Sequence, residues 1–260
     1  MSIDAFVGID VAVAKTKRLP VCVCVRRDGN LEPLALRDST LPLPPSLPGN
    51  VAIVDPAVRQ RLAEGTAAYL RAIQDHFGLQ ISTIAIDAPS APRAMHVPVR
   101  RAEASLGLAG ISYIHTPDVD TFARIPGDVN AHLENPGARR GLPHANRIWM
   151  LFGFELFRVV ASEGWPCIEV YPQATVRCLA GCGLHKKKPG AVLEQLSAAS
   201  THTGWPVPPT TAALRRIAYG SLDDCLDAYL SAWVASLPEE DREPLGDPPH
   251  DVIWRPRIMR

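Results

Sequence analysis

The sequence has few cysteines and no excess of either charge, and both features exclude classes of protein. Six cysteines in 260 residues are too sparse for the disulfide framework of a small secreted protein. The 27 basic and 27 acidic side chains cancel, so a nucleic-acid partner has to be held by a local patch rather than by a general positive field. This balance argues against a protein that binds nucleic acid tightly and without sequence preference.

The sequence also lacks a hydrophobic run of transmembrane length and a basic leader at its N-terminus. Asp4 and Asp10 interrupt the first apolar residues, which does not fit a secretory signal peptide. We therefore expect a cytoplasmic protein with reduced cysteines and no membrane partner. Apolar residues make up 47% of the chain, enough for one large domain or for a domain with insertions.

The order of the apolar patterns predicts an α/β fold. Residues 6–15 form a strand pattern, and two further strands joined at Asp28 and Gly29 complete an N-terminal meander. Apolar residues at helical spacing follow between positions 58 and 77. A β-branched run then ends at Asp87, as expected for a buried, parallel strand.

The sequence after Asp87 predicts an insertion and two long helices around one more strand. Residues 90–144 are rich in Pro, Gly, Arg and His, which predicts an elaborated loop region or a small subdomain over one end of the sheet. An apolar helix ending at Gly164 and the strand WPCIEVYP come next. The stretch from Ser221 begins the last helix, which runs to about Leu237.

These boundaries predict a single domain over residues 1–237, with the insertion at about 90–144. Residues 238–260 are rich in proline and charge, so we expect a surface extension there. Ile253 and Trp254 are the apolar residues that could pin this extension to the domain.

The last helix begins with three carboxylates in five residues, at Asp223, Asp224 and Asp227. Ser221 and Asp224 have the spacing of a capping box, and acids in a first turn suit the helix dipole. Asp227 lies about one turn further in, where the dipole no longer helps and the other acids repel it. A divalent cation between the carboxylates would make this arrangement favourable.

Two more acids lie on predicted strands. Asp10 within an apolar strand is costly unless it is paired or bound to a metal ion, which favours a functional role over a turn or bulge. Asp87 before Ala88 and Pro89 fits an Asx-turn equally well. If the fourth strand pairs alongside the first, the two acids reach adjacent backbones, and the last helix can bring its own acids over the same edge.

The motifs GIDVA, IDAP, RRAE, EVYP, KKKPG and DDCLDAYLSAW occur in this order, and in them the sequence resembles domain-of-unknown-function family 429, the predicted RNase H-like nucleases. The resemblance covers most of residues 6–235. It implies an RNase H-like α/β fold, with a mixed five-stranded sheet flanked by helices. It also implies a nuclease that hydrolyses nucleic-acid phosphodiester bonds with two Mg²⁺ or Mn²⁺ ions.

Carried over residue by residue, the resemblance implies that the metal ligands and catalytic acids are Asp10, Asp87, Asp224 and Asp227. It selects Asp224 rather than Asp223 as the partner of Asp227. Small residues at Ala228, Ser231 and Ala235 then predict that this helix approaches the sheet closely. Many RNase H-like proteins carry one more acid, and its position here stays open among Glu64, Glu103 and Glu169.

Two basic clusters are candidates for phosphate contacts. One is Lys186, Lys187 and Lys188, before a predicted helix whose free amides also face an anion. The other is Arg100 and Arg101 in the insertion. The choice between DNA, RNA and a nucleotide stays open, as does the oligomeric state.

Two other classes of protein remain as alternatives. One is a noncatalytic RNase H-like module that binds nucleic acid or a protein partner. The other is an actin-like ATPase or sugar kinase, which the absence of a second Gly-x-Asp-x-Gly element disfavours.

Overall fold

The structure is a computed structural model that describes residues 2–135, 137, 141–182 and 188–257. The strands of its main sheet are β1 (Ile3–Asp10), β2 (Val21–Arg27), β3 (Asn30–Pro33), β4 (Leu79–Asp87) and β5 (Cys167–Glu169). Their order in the sheet is β3-β2-β1-β4-β5. β1, β2 and β3 pair antiparallel, whereas β4 is parallel to both β1 and β5. The predicted α/β class with a mixed five-stranded sheet is confirmed.

Helices cover both faces of this sheet. They are α1 (Asn50–Ile53), α2 (Pro56–Phe77), α3 (Arg101–Leu108), α4 (Val119–Glu134), α5 (Ile148–Ser162), α6 (Pro172–Cys178), α7 (Ala191–Thr203), α8 (Thr211–Ile217) and α9 (Leu222–Ser236). Ile9 and Ile84 on one face pack in a core with residues of α2 and α5. Cys22 and Cys24 on the other face pack with α9 and are free thiols. Within the described residues, no helix is both long and apolar enough to cross a membrane.

α9 crosses β1 at short range because Gly8 has no side chain. A Cβ built on Gly8 would lie 2.0 Å from the carbonyl oxygen of Ala228 and 2.9 Å from the Cβ of Ser231. Ala235, one turn further, is buried in a cluster with Ala85 of β4. The predicted close approach of this helix through its small residues is confirmed, and it places the first turn of α9 over the carboxyl end of β1.

The insertion contains α3 and α4 between irregular segments. α4 buries Phe122, Ile125 and Val129 in the same core as residues of α2 and α5. The insertion is therefore part of the packed domain at this end of the sheet, and it forms one wall of a cleft described below.

The C-terminal residues are a folded hairpin, where the sequence predicts a surface extension. β6 (Arg242–Asp247) and β7 (Asp251–Pro256) pair antiparallel. Ile253 is buried in a cluster with Ala102 of α3, and Trp254 forms a bridge to Val170 beside β5. Neighbouring residues of a strand point to opposite faces, so Ile253 and Trp254 together hold both faces of this strand against the domain.

Candidate active site at the carboxyl ends of β1 and β4

Asp10 and Asp87 end two neighbouring parallel strands, and they are partners in the register of β1 and β4. Side chains alternate between the faces of a strand. Ile9 packs on the α2 and α5 side, so Asp10 lies on the same face as Gly8, towards α9. Ala85 packs with α9, which places Asp87 on that face as well. The structure therefore brings the two strand acids together, as their pairing predicts.

Asp224 lies in the first turn of α9, above this end of the sheet. Its side chain accepts the backbone N–H of Ser221 at 3.0 Å, and the reciprocal hydrogen bond of the capping box is also present. The capping role predicted for Asp224 is confirmed. The same Oδ2 atom also accepts a hydrogen bond from the Lys17 ammonium at 2.9 Å.

Lys17 is a part of the site that sequence reasoning misses. The hydrogen bond to Asp224 raises the pKa of Lys17, burial opposes this change, and the charges of Asp223 and Asp10 add to it. Burial would raise the pKa of Asp224, but hydrogen bonds from Lys17 and Ser221 outweigh burial and lower it. The only available signal was position, because Lys17 lies in the loop that leaves β1 just beyond Asp10.

The other two acids of α9 differ in exposure. Asp223 is exposed, whereas Asp227 is half-buried. The backbone carbonyl of Asp227 accepts a hydrogen bond from Ser231, the residue whose Cβ faces Gly8. Asp227 therefore begins the row of residues that faces the sheet. These exposures agree with the choice of Asp224 and Asp227 over Asp223.

We call Asp10, Asp87, Asp224, Asp227 and Lys17 the Asp10 cluster. Carboxylate oxygens are the ligands that Mg²⁺ and Mn²⁺ prefer, so the type of donor fits a metal ion. Their arrangement does not form a ready metal site, because within the described residues no group of three or more His, Cys, Asp or Glu side chains could hold a metal ion. Lys17 also contacts an oxygen of Asp224 that a cation would use.

Arg100 lies in a buried ion network, where the sequence predicts a phosphate contact. Its Nη1 and Nη2 donate to the two carboxylate oxygens of Glu169 at 2.8 and 2.9 Å, and its Nε donates to Asp251 at 3.0 Å. The side chains of Arg100 and Glu169 are 7% and 5% exposed. We call these three residues the Arg100 network. Contact with a phosphate would require this network to break, so Arg100 has a structural role.

The cation of the Arg100 network is compensated by carboxylates of the protein itself. Burial lowers the pKa of Arg100, but Glu169, Asp251 and Glu103 outweigh burial and raise it. Burial raises the pKa of Glu169. Hydrogen bonds from Arg100 and from the backbone N–H of Ser90 oppose this increase. Glu169 therefore acts here as a structural acid.

The remaining predicted contacts lie on the surface or outside the described residues. Arg101 is exposed, and its Nε lies 3.6 Å from Asp247. Lys188 is exposed just before α7, and Lys186 and Lys187 lie outside the described residues. Glu64 accepts a hydrogen bond from Gln60 on the exposed face of α2, so the structure does not bring it to the acids.

A cleft opens beside Asp87. It encloses about 480 Å³ of space free of protein atoms, including the part open to solvent. Its walls include three aromatic side chains, Tyr113, Trp149 and Tyr171, and the buried carboxylate of Glu103. The cleft therefore brings Asp87 to the edge of a partly apolar pocket.

Comparisons of this chain with protein-family models, with curated proteins and with solved structures found no significant match. A function for the chain therefore has to come from its fold and from the geometry of this site.

Proposed function

We propose that this protein is an RNase H-like, metal-dependent hydrolase of nucleic-acid phosphodiester bonds. The observation that carries the proposal is the in-register pairing of Asp10 and Asp87 at the ends of parallel strands, under the acidic first turn of α9. Acids from three separate elements at one end of a sheet repel one another unless a cation joins them. The mixed five-stranded sheet agrees with the fold that the family resemblance implies.

The four acids of the Asp10 cluster would hold one or two Mg²⁺ or Mn²⁺ ions. Such ions lower the pKa of a bound water and neutralise charge on the phosphodiester. The protein itself contributes position, because Asp10 and Asp87 leave rigid strands and Asp224 is held by the cap of α9. Lys17 adds a fixed cation, since its raised pKa keeps its ammonium charged at neutral pH.

The nucleic-acid strand would be held by local basic residues, since the chain has no general positive field. Lys188 and Arg101 are exposed cations, and Lys186 and Lys187 extend the run before α7 in the sequence. Such contacts to the phosphate backbone bind without sequence preference and weaken with salt. Arg100 is left out of this set because of its buried pairing.

One observation favours a second candidate function, a noncatalytic module that binds nucleic acid or a protein partner. The Lys17 ammonium binds Asp224 directly, and a lysine in this position can neutralise an acidic cluster in place of a metal ion. In a module of this kind the cluster would stabilise the fold, and the basic surface would remain the part that binds.

A cleavage screen separates the two candidates. Purified protein is incubated with Mg²⁺ or Mn²⁺ and with single-stranded, duplex, hybrid and branched substrates. We expect cleavage that EDTA abolishes, that is lost in Asp227→Asn and retained in Asp223→Asn, the matched change at the exposed acid of the same turn. Binding without cleavage of any substrate would support the noncatalytic module and overturn the proposed hydrolase.

A further inference from the structure

The cleft beside Asp87 contains a buried acceptor that the protein does not satisfy. Glu103 is 3% exposed, and its Oε1 accepts the backbone N–H of Thr116 at 2.8 Å. Its Oε2 has no hydrogen-bond partner within the described residues. The Nδ1 of His115 lies 3.5 Å from that oxygen. A buried carboxylate oxygen without a donor is costly, so a donor from a ligand would complete this site.

The walls of the cleft suit a flat ring. Trp149 donates its ring N–H to the carbonyl of Asn146 at 2.9 Å, and Tyr171 donates its hydroxyl to the carbonyl of Ser112 at 2.8 Å. These hydrogen bonds hold the two rings in place and use their donor groups. The rings therefore offer apolar surface rather than a partner for Glu103, as in sites that stack a base on aromatic side chains.

The negative charge of the cleft excludes a phosphate and favours a ligand that donates hydrogen bonds. Asp87, Glu103 and Glu169 line it together with one cation, Arg100, and that guanidinium is already bound by Glu169 and Asp251. A phosphate group would meet mainly carboxylates here. A neutral ring that presents N–H groups would meet the acceptor that Glu103 offers.

A groove lined by basic side chains adjoins the acidic cleft. Thr116 lines both, and the groove is also lined by Arg93, His115 and Arg147. The Nε of Arg147 is buried and has no hydrogen-bond partner within the described residues. Arg93 is already held by Asp118 at 2.7 Å, so a base in the cleft could continue into a phosphate that meets Arg147 in the groove, which favours a nucleotide over a simple amine.

We propose that the cleft binds a nucleobase that carries an exocyclic amino group, with a base N–H donating to Glu103 Oε2. Guanine fits best, because its ring N–H and amino group are adjacent donors that face a carboxylate together. Uracil and thymine fit worst, because their single N–H lies between two carbonyl oxygens. This inference rests on the proposed function, to which it adds that the substrate strand presents one unstacked base beside Asp87.

The test is calorimetric titration of the full chain with guanosine, cytidine and uridine monophosphates, without divalent cations. We expect guanosine monophosphate to bind at least about tenfold more tightly than uridine monophosphate, the scale of one buried hydrogen bond. Glu103→Gln should remove this preference, because it replaces an acceptor oxygen with a donor amide of the same shape. Glu64→Gln, the same change at an exposed residue, should leave it intact.

Two further measurements keep the inference separate from the proposed hydrolase. Trp149→Leu should weaken the binding of all three nucleotides, with circular dichroism confirming that each variant is folded. Asp10→Asn should keep the guanine preference, even though it removes an acid of the proposed metal site. A preference that survives Glu103→Gln, or equal affinity for the three nucleotides, would overturn the base pocket. Absence of cleavage with the preference intact would overturn only the hydrolase.

Discussion

Two groups of charged side chains lie at the same end of the sheet, and they differ in how their charge is balanced. In the Arg100 network one buried guanidinium binds two carboxylates through three short hydrogen bonds. In the Asp10 cluster a partly exposed ammonium lies in the field of several acids. Removing the cation of a buried network destabilises a fold, whereas carboxylates gathered around a partly exposed cation suit the recruitment of a metal ion. The two groups should therefore respond in opposite ways to neutralising substitutions.

The largest effect on stability is expected from Arg100→Met. This change leaves the buried Glu169 and the half-buried Asp251 without their cation, and breaking a buried pair costs about 3–5 kcal/mol. Urea denaturation followed by circular dichroism measures the change. The neighbouring exposed arginine provides the control, since Arg101→Met should change the free energy of unfolding by less than about 0.5 kcal/mol. Equal effects of the two substitutions would contradict the structural role of Arg100.

The next effect is expected from Gly8→Ala, which sharpens the comparison by moving α9 and its acids away from Asp10 and Asp87. The new methyl group would meet the backbone of Ala228 and Ala232, which cannot turn aside as a side chain can. We expect a loss of at least about 1–3 kcal/mol, as in overpacked cores. Gly127→Ala is the control, because nothing lies within 4 Å of that Cβ and alanine favours the helix. Similar losses at the two glycines would contradict the close approach of α9.

A smaller and pH-dependent effect is expected from Lys17→Met. The side chain of Lys17 is 40% exposed, so solvent screening limits its contribution to about 1 kcal/mol or less. The pKa of Asp224 is lowered in the folded protein, so this contribution is present above the unfolded value of about 3.9. It should be lost as the pH falls through the lowered pKa of Asp224.

Urea denaturation at several pH values between 7 and 3 tests this effect, with Lys15→Met at an exposed position nearby as the control. The difference in free energy of unfolding between wild type and Lys17→Met should narrow towards low pH, and Lys15→Met should show no such trend. A gap that widens with acid would mean that Asp224 is not the group that Lys17 stabilises.

The smallest effect on stability is expected from Asp227→Asn in metal-free protein. Removing one of several neighbouring acids relieves repulsion, so the free energy of unfolding should stay the same or rise slightly. Thermal denaturation in EDTA measures it, with Asp223→Asn as the matched control. A loss of several kcal/mol would show that Asp227 belongs to a buried ion pair like that of Arg100.

The features that local patterns set were predictable from the sequence. Alternation and β-branched residues predict β1 and β4, and the parallel register then brings Asp10 beside Asp87. Small residues in α9 predict its contact with the sheet, and the spacing of Ser221 and Asp224 predicts the cap. The strands, the helix and its cap are predictable because each depends on residues a few positions apart, and the order of these elements then predicts which of them meet.

The features that distant contacts set were not predictable. Arg100 and Arg101 are equivalent in the sequence, and only the pairing of Arg100 with Asp251, 151 residues away, buries one of them. That partner belongs to the hairpin, which the high proline and charge content conceals. Lys17 reaches Asp224 across 207 residues, through a loop whose path no local pattern determines. The unsatisfied oxygen of Glu103 likewise depends on how the insertion folds over the sheet.

The central claim, that paired acids from β1 and β4 hold a divalent cation, is tested most directly by titrating the protein with Mn²⁺ in a calorimeter. We predict saturable binding to the wild type, lost or weakened by at least about tenfold in Asp87→Asn and unchanged in Asp223→Asn. A wild-type protein that binds no Mn²⁺, or an Asp87→Asn variant that binds it as the wild type does, would contradict the claim.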